Sequence, residues 1–159
     1  MPIKHYDWSA YHANVRPHKV AIKDLSAKKE LTYLDLDRRA NRLAAWLQGQ
    51  GVAKGDRVAI LSQNCPEFFE LEFACAKIGA VELPLNWRLT KPELEYILCD
   101  SEPSVLIYDE TFSDVSTALL IDCDIQSSLE INQNDISNQY EMALSNAHDA
   151  PTIVECYQE

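Results

Sequence analysis

Residues 58–83, VAILSQNCPEFFELEFACAKIGAVEL, hold one full unit of the architecture. Val58 to Leu61 is an unbroken aliphatic and β-branched run, the composition of a strand buried on both faces. Asn64-Cys65-Pro66-Glu67 then opens a helix, because Asn is a favoured N-cap, proline is tolerated in the first turn and Glu67 stands where a capping-box acid would reach back. The helix runs to Ile78, and Gly79 ends it by entering the left-handed conformation without steric cost. Ala80 to Leu83 reads as the next strand. Strand, helix and strand at these lengths make a βαβ unit with a right-handed crossover and parallel strands.

The same alternation extends both ways. Upstream, Val20 to Lys23 and Leu31 to Tyr33 read as short strands, with charged residues 24–30 as the hairpin loop between them. A helix over 34–48 follows, its apolar face carrying Leu36, Ala40, Leu43, Ala44 and Leu47; Thr32 can cap it, and Gly49 and Gly51 stop it. Downstream, Thr90-Lys91-Pro92-Glu93 repeats the capping signature before a helix bearing Leu94, Ile97 and Leu98, and Val105 to Tyr108 gives another strand. Beyond residue 109 the periodicity is weaker: it predicts a helix near Phe112 to Ser116, a strand over Ala118 to Ile121 and a polar helix over Asp135 to Asn146. The fold class is therefore α/β, a largely parallel sheet with helices on both faces. Ligands of such sheets bind beyond the carboxyl ends of the strands, which makes Ser62 to Cys65, Pro84 to Leu89 and Asp109 to Thr111 the candidate loops.

Composition narrows the function. The 159 residues carry 14 Lys and Arg against 25 Asp and Glu, a net charge of -11, with 47% apolar residues. That balance suits one globular core and argues against sequence-independent binding of nucleic acid or anionic lipid, which draws its affinity from Lys and Arg. Every Lys and Arg lies at or before Lys91, so residues 92–159 are acidic throughout. Such a stretch repels itself unless a basic surface balances it. No run approaches the ~20 apolar residues of a membrane helix. The cysteines, Cys65, Cys75, Cys99, Cys123 and Cys156, are odd in number and dispersed, so neither a disulfide framework nor a zinc site is expected and a reducing, cytoplasmic setting is.

Motifs of chemistry are mostly missing. The chain has no G-x-G-x-x-G, no G-x-x-x-x-G-K-S/T, no G-x-S-x-G and no H-E-x-x-H. Its four glycines, Gly49, Gly51, Gly55 and Gly79, leave the second half without a phosphate cradle. His5, His12, His18 and His148 have no nucleophile nearby and read as surface residues. Arg38, Arg39 and Arg42 read as an ion-paired, exposed helix face, with Asp35 four residues before Arg39. Trp46, Phe68, Phe69, Phe73 and Tyr96 read as packing residues, whereas Trp87 either meets a ligand or covers the core. A-L-L-I-D-C-D, residues 118–124, has the form of a haloacid-dehalogenase phosphatase strand ending in Asp122 and Asp124; the lack of any later cation speaks against that chemistry. Arg88 stands before a helix N-terminus, where the macrodipole disfavours a cation, so it needs either an ion pair with Glu93, Glu95 or a docked subdomain, or a phosphate ligand that suits its fork of donors.

The stretch from Leu31 to Asp109 carries, in order, LTY, RANRLA, GVAKGDRVAIL, KIGAV and PLNWRLT, with HANVRPHKVAIKD leading in. In that order and spacing it resembles the opening of acyl-CoA synthetases and related adenylate-forming enzymes. The resemblance implies the first portion of their large N-terminal domain: residues 1–109 as its α/β portion and 110–159 as an acidic continuation, truncated before the ATP phosphate loop. It implies a parent that joins a carboxylic or fatty acid to coenzyme A through an acyl-adenylate, with ATP, Mg²⁺ and CoA as cofactors. It also implies that this chain alone is inactive, with no catalytic or metal residue and no cofactor of its own. The Arg of P-L-N-x-R-L lies near the nucleotide portion of coenzyme A in the family, which carries over to Arg88 here. The implied partners are the carboxylate substrate and the remainder of the enzyme, and surface left uncovered would favour a homodimer. Luciferase-like enzymes, peptide-synthetase adenylation domains and a stand-alone interaction module holding a basic partner are the other readings.

Overall fold

The computed structural model describes residues 7–25, 27–132, 135 and 138–148. Helix α1 (Trp8–Val15) leads into the antiparallel hairpin β1 (Val20–Asp24) and β2 (Lys29–Thr32). Then come α2 (Tyr33–Gly49), β3 (Arg57–Leu61), α3 (Pro66–Ile78), β4 (Val81–Pro84), α4 (Lys91–Ser101), β5 (Val105–Asp109), α5 (Ser113–Asp122), β6 (Ser127–Ile131) and α6 (Gln139–Asn146). Strands β4-β3-β5-β6 form one parallel sheet in that order. Alternate residues of each strand point to opposite faces, and both faces are covered. Val58, Ile60, Val105, Ile107, Leu129 and Ile131 meet α2, α3 and α6; Ala59, Leu61, Leu106 and Tyr108 meet α4 and α5 through Leu94, Leu98 and Leu119.

Local chemistry explains most boundaries. Thr32 and Asp35 close a capping box on α2, and Thr90 and Glu93 close another on α4. Gly79 ends α3 at φ 74, in the left-handed region that glycine enters freely. At the start of α3, however, the N-cap is Cys65, not Asn64. The residue before a proline is held out of the helical region, so Pro66 makes Cys65 the last extended residue. Glu67 turns into the interior and makes no capping box.

The second half departs further from the sequence pattern. Ala118 to Ile121 is not a strand but the end of α5, with Leu119 buried and Ile121 exposed. Four apolar residues fit either state, and Ala and Leu are good helix formers. The helix expected near Phe112 to Ser116 is the beginning of this same element, whose first residue is Ser113. The strand at this point of the chain is β6, whose S-S-L-E-I buries only Leu129 and Ile131 and so gives a short, weak alternation. Helix α6 starts at Gln139, capped by Asn138, four residues later than Asp135. Cys99 and Cys123 are joined as a disulfide with Cα atoms 5.0 Å apart, against the expectation of none. Their pairing comes from α4 packing on α5, which cysteine spacing does not encode.

The acidic half docks on the basic half of its own chain. Arg39, expected on an exposed face, lies half-buried and donates from Nε to Glu70 (2.6 Å) and from both terminal nitrogens to Glu141 (2.9 and 2.7 Å). Tyr140 donates to the other oxygen of the fully buried Glu70 at 2.8 Å. Lys91 pairs with Asp122 at 2.5 Å, and the Arg57 guanidinium donates to the carbonyls of Ser101 and Glu102. Lys77, 3% exposed, holds α1 down through Asp7 (2.5 Å) and Asp37 (2.8 Å). Among the described residues no helix is long and apolar enough to cross a membrane.

Candidate functional site at the carboxyl end of the sheet

Because β3, β4, β5 and β6 run parallel, the loops that follow them collect at one end. After β3, the buried Ser62 donates to the carbonyl of Gln63 at 2.9 Å and its Oγ stands 3.5 Å from the Cys65 Sγ. Burial, reinforced by the charge of Glu67, pushes the Cys65 thiol up to about 12, so it is no nucleophile at neutral pH. Burial and the neighbouring Glu70 also raise Glu67, whose Oε2 is buried without a hydrogen-bond partner. After β5, Asp109 accepts from the N–H and hydroxyl of Thr111 at 2.9 and 2.6 Å, a turn that needs no ligand.

The loop after β4 presents an exposed cation, Arg88, with an open fork. The Asn86 side chain accepts from the Arg88 N–H at 3.1 Å and shapes the turn. Trp87 is half-buried, 6.5 Å from the Phe112 ring, and the Arg88 guanidinium lies 4.1 Å above its ring centre, a cation–π pair. Thus Trp87 both covers the core and supports Arg88. The expected ion pair is not made: Glu93 is engaged by Thr90 and Glu95 faces Lys91, so among the described residues Arg88 has no carboxylate partner. Beside the open edge of β4 runs a groove of about 500 Å³, bounded by Ile22, Leu25, Phe68, Phe69, Pro84 and Glu82. Phe69 and Tyr96, read as packing residues, are 48% and 75% exposed.

Other sequence candidates lie elsewhere. Asp122 ends α5 and Asp124 follows it, where the chain returns toward the start of β6, so they stand away from the carboxyl-end loops. With no strand before them, and with Asp122 bound to Lys91 and Asp124 to Gln126, the phosphatase reading fails. Gly51 and Gly55 sit in the loop entering β3, and the Gly55 N–H donates to the Gly79 carbonyl at 2.8 Å, at the amino end. His12 is part of an aromatic cluster with Trp8, Tyr11 and Tyr33, whereas His18 and His148 are exposed. His5 and Cys156 lie outside the described residues. Sequence reading missed the Arg39–Glu70–Tyr140 network; a Glu within the apolar face of α3 was the signal available for it.

Comparison with known proteins gives this geometry a context. The model of the family described as AMP-binding enzyme matches residues 9–155. A feruloyl-CoA synthase from Amycolatopsis sp. is 44% identical over 112 residues, which are 70% of this chain and 22% of that protein. The long-chain-fatty-acid–CoA ligase FadD13 of Mycobacterium tuberculosis is 41% identical over 112 residues, again 70% of this chain and 22% of the relative. The inhibitor-bound N-terminal domain of FACL13 from Mycobacterium tuberculosis superposes with a TM-score of 0.85 at 33% identity, over 97% of this chain and 38% of that one. The chain thus spans about a fifth of the length of the curated relatives it matches. A doubly covered parallel sheet whose motifs follow one another in these relatives' order is part of an AMP-binding domain, and the chain belongs to the AMP-binding enzyme family.

Proposed function

We propose that this chain is the N-terminal portion of an ATP-dependent acyl-CoA synthetase, which converts a carboxylic or fatty acid, ATP and CoA to acyl-CoA, AMP and pyrophosphate. The observation that carries this is the collinear match to acid–CoA ligases across most of the chain. Residues 1–109 form the α/β portion of the domain and 110–159 its acidic continuation. Adenylation makes AMP the leaving group, and the thiol of CoA then displaces it.

Within this chain the fit differs among the cofactors. Arg88 suits the nucleotide portion of CoA: an exposed guanidinium, held by Trp87 and free of carboxylates, offers its donors to a phosphate. Among the described residues no group of three or more His, Cys, Asp or Glu stands ready for a metal ion, and the glycines with positive φ lie at the wrong end for a phosphate cradle. We assign Mg²⁺ and the ATP phosphates to the remainder of the parent, and propose that the chain alone is inactive. The groove beside β4, with Leu25 and Phe69 exposed in its wall, is the surface we assign to that remainder; in the isolated chain it would drive homodimers. We place the parent in the cytoplasm, where ATP and CoA are available.

The test uses the complete parent protein. Carboxylate-dependent pyrophosphate release followed by CoA-dependent thioester formation is expected. Arg88→Ala should raise the KM for CoA about tenfold or more, the loss of one charge-assisted contact, while sparing pyrophosphate release. An unchanged KM removes Arg88 from the site, and no carboxylate-dependent pyrophosphate release with any acid defeats the ligase reading.

A further inference from the structure

We propose that Cys99 and Cys123 form a reversible dithiol–disulfide site, a redox modification site that fastens α4 to α5 on oxidation. Three observations carry it. The two residues are 24 apart in sequence, yet the packing of α4 against α5 brings their Cα atoms to 5.0 Å, within the range a disulfide spans without moving the backbone. Cys99 is exposed on the last turns of α4, where a soluble oxidant or reductant reaches it, and Cys123 is half-buried beneath it. Each sulfur also faces a carbonyl oxygen, Cys123 that of Glu95 at 3.6 Å and Cys99 that of Asp122 at 4.0 Å. In the reduced state those carbonyls accept the two S–H groups, so neither redox form leaves the sulfurs without a partner.

The remaining described cysteines are shielded from this chemistry. Cys65 and Cys75 are both buried, and burial pushes both thiols up, which keeps them protonated and unreactive. Among the described cysteines an oxidant therefore selects the 99–123 pair. In the step itself, the Cys99 thiolate attacks a low-molecular-weight disulfide such as glutathione disulfide and releases one thiol. The Cys123 thiolate then displaces the second, so one S–S bond forms as another breaks, two electrons pass to the oxidant, and the two protons lost by the cysteines reappear on the released thiols.

The consequence is mechanical. Without the bond, the end of α5 is held to α4 by the exposed Lys91–Asp122 ion pair and by Leu94, Leu98 and Leu119. With it, the segment 99–123, which contains all of β5, becomes a closed loop. Closing a loop of this length raises the melting temperature by roughly 10 °C in a domain of this size.

The experiment equilibrates the full chain in glutathione buffers of graded redox poise, quenches with acid, alkylates the free thiols and maps them by mass spectrometry, with melting curves alongside. Oxidation should remove two alkylation sites together, at Cys99 and Cys123, and yield one cross-linked peptide pair. Excess dithiothreitol should restore both sites without unfolding, and the melting point should rise on oxidation. Cys99→Ser and Cys123→Ser, each made separately, should fold and abolish both the cross-link and the shift. Cys99 and Cys123 still alkylated at full oxidation, a cross-link to any other cysteine, or a bond that dithiothreitol opens only in the unfolded chain would each overturn the proposal.

Discussion

Replacing Arg39 with leucine isolates the network that ties the two halves of the chain together. Arg39 is the only cation on Glu70 among the described residues, and Glu70 is fully buried, with Tyr140 donating to its second oxygen. In Arg39→Leu the buried carboxylate loses its cation, and removing one member of a buried pair costs about 3–5 kcal/mol. Loss of the fork to the part-exposed Glu141 adds about 1 kcal/mol at most. Urea unfolding followed by far-ultraviolet circular dichroism at pH 7 measures this. Arg39→Leu combined with Glu70→Gln should recover at least 2 kcal/mol of the loss at pH 7, since the amide still accepts from Tyr140. A loss below about 1 kcal/mol at pH 7, or a double variant no more stable than Arg39→Leu alone, would refute the argument.

Two further perturbations test separate features. Lys77→Met removes the buried cation shared by Asp7 and Asp37 and should cost about 3 kcal/mol, with early proteolytic cleavage after α1; a variant as stable and as resistant as the parent chain would show that the pairs contribute nothing. Burial opposes it, but hydrogen bonds from Lys77 and the Ala10 N–H hold the Asp7 carboxyl below its ordinary value. That stability is present above the unfolded pKa near 3.8 and is lost as pH falls through the lower folded value, a loss that Lys77→Met should not show. Glu82 behaves oppositely: burial, then the charge of Glu72, pushes its carboxyl up to about 7. The folded state therefore binds the proton more tightly, and stability falls as pH rises from about 4.5 through about 7. With its partial exposure discounted, Glu82→Gln should stabilise by about 1 kcal/mol at pH 8 and by nothing at pH 4. Thermal melts in which the glutamine variant keeps the original pH slope would remove Glu82 as its source.

Much of the fold was legible locally. Aliphatic runs at 58–61 and 105–108, capping signatures at Thr32 and Thr90 and the stop at Gly79 are set by neighbours within a few residues, and each element stands where those residues put it. From residue 110 onward, apolar residues are too sparse to define a period, so A-L-L-I passed for a strand while the true strand β6 went unread. The family was also legible, because the order of short motifs is a property of the chain alone.

The sequence by itself determined most of the helices and strands between residues 20 and 109, though not helix α1, together with the parallel sheet and membership in the AMP-binding enzyme family. Only the tertiary structure decided which charges meet. Arg39 with Glu141, Lys77 with Asp7 and Cys99 with Cys123 are separated by dozens of residues and come together through helices packed on a sheet. It also decided that Arg88 stands on Trp87 instead of pairing with Glu93. Local preferences act over one or two turns of chain, whereas ion pairs, disulfides and ligand contacts depend on distances in space, which only the packed core sets.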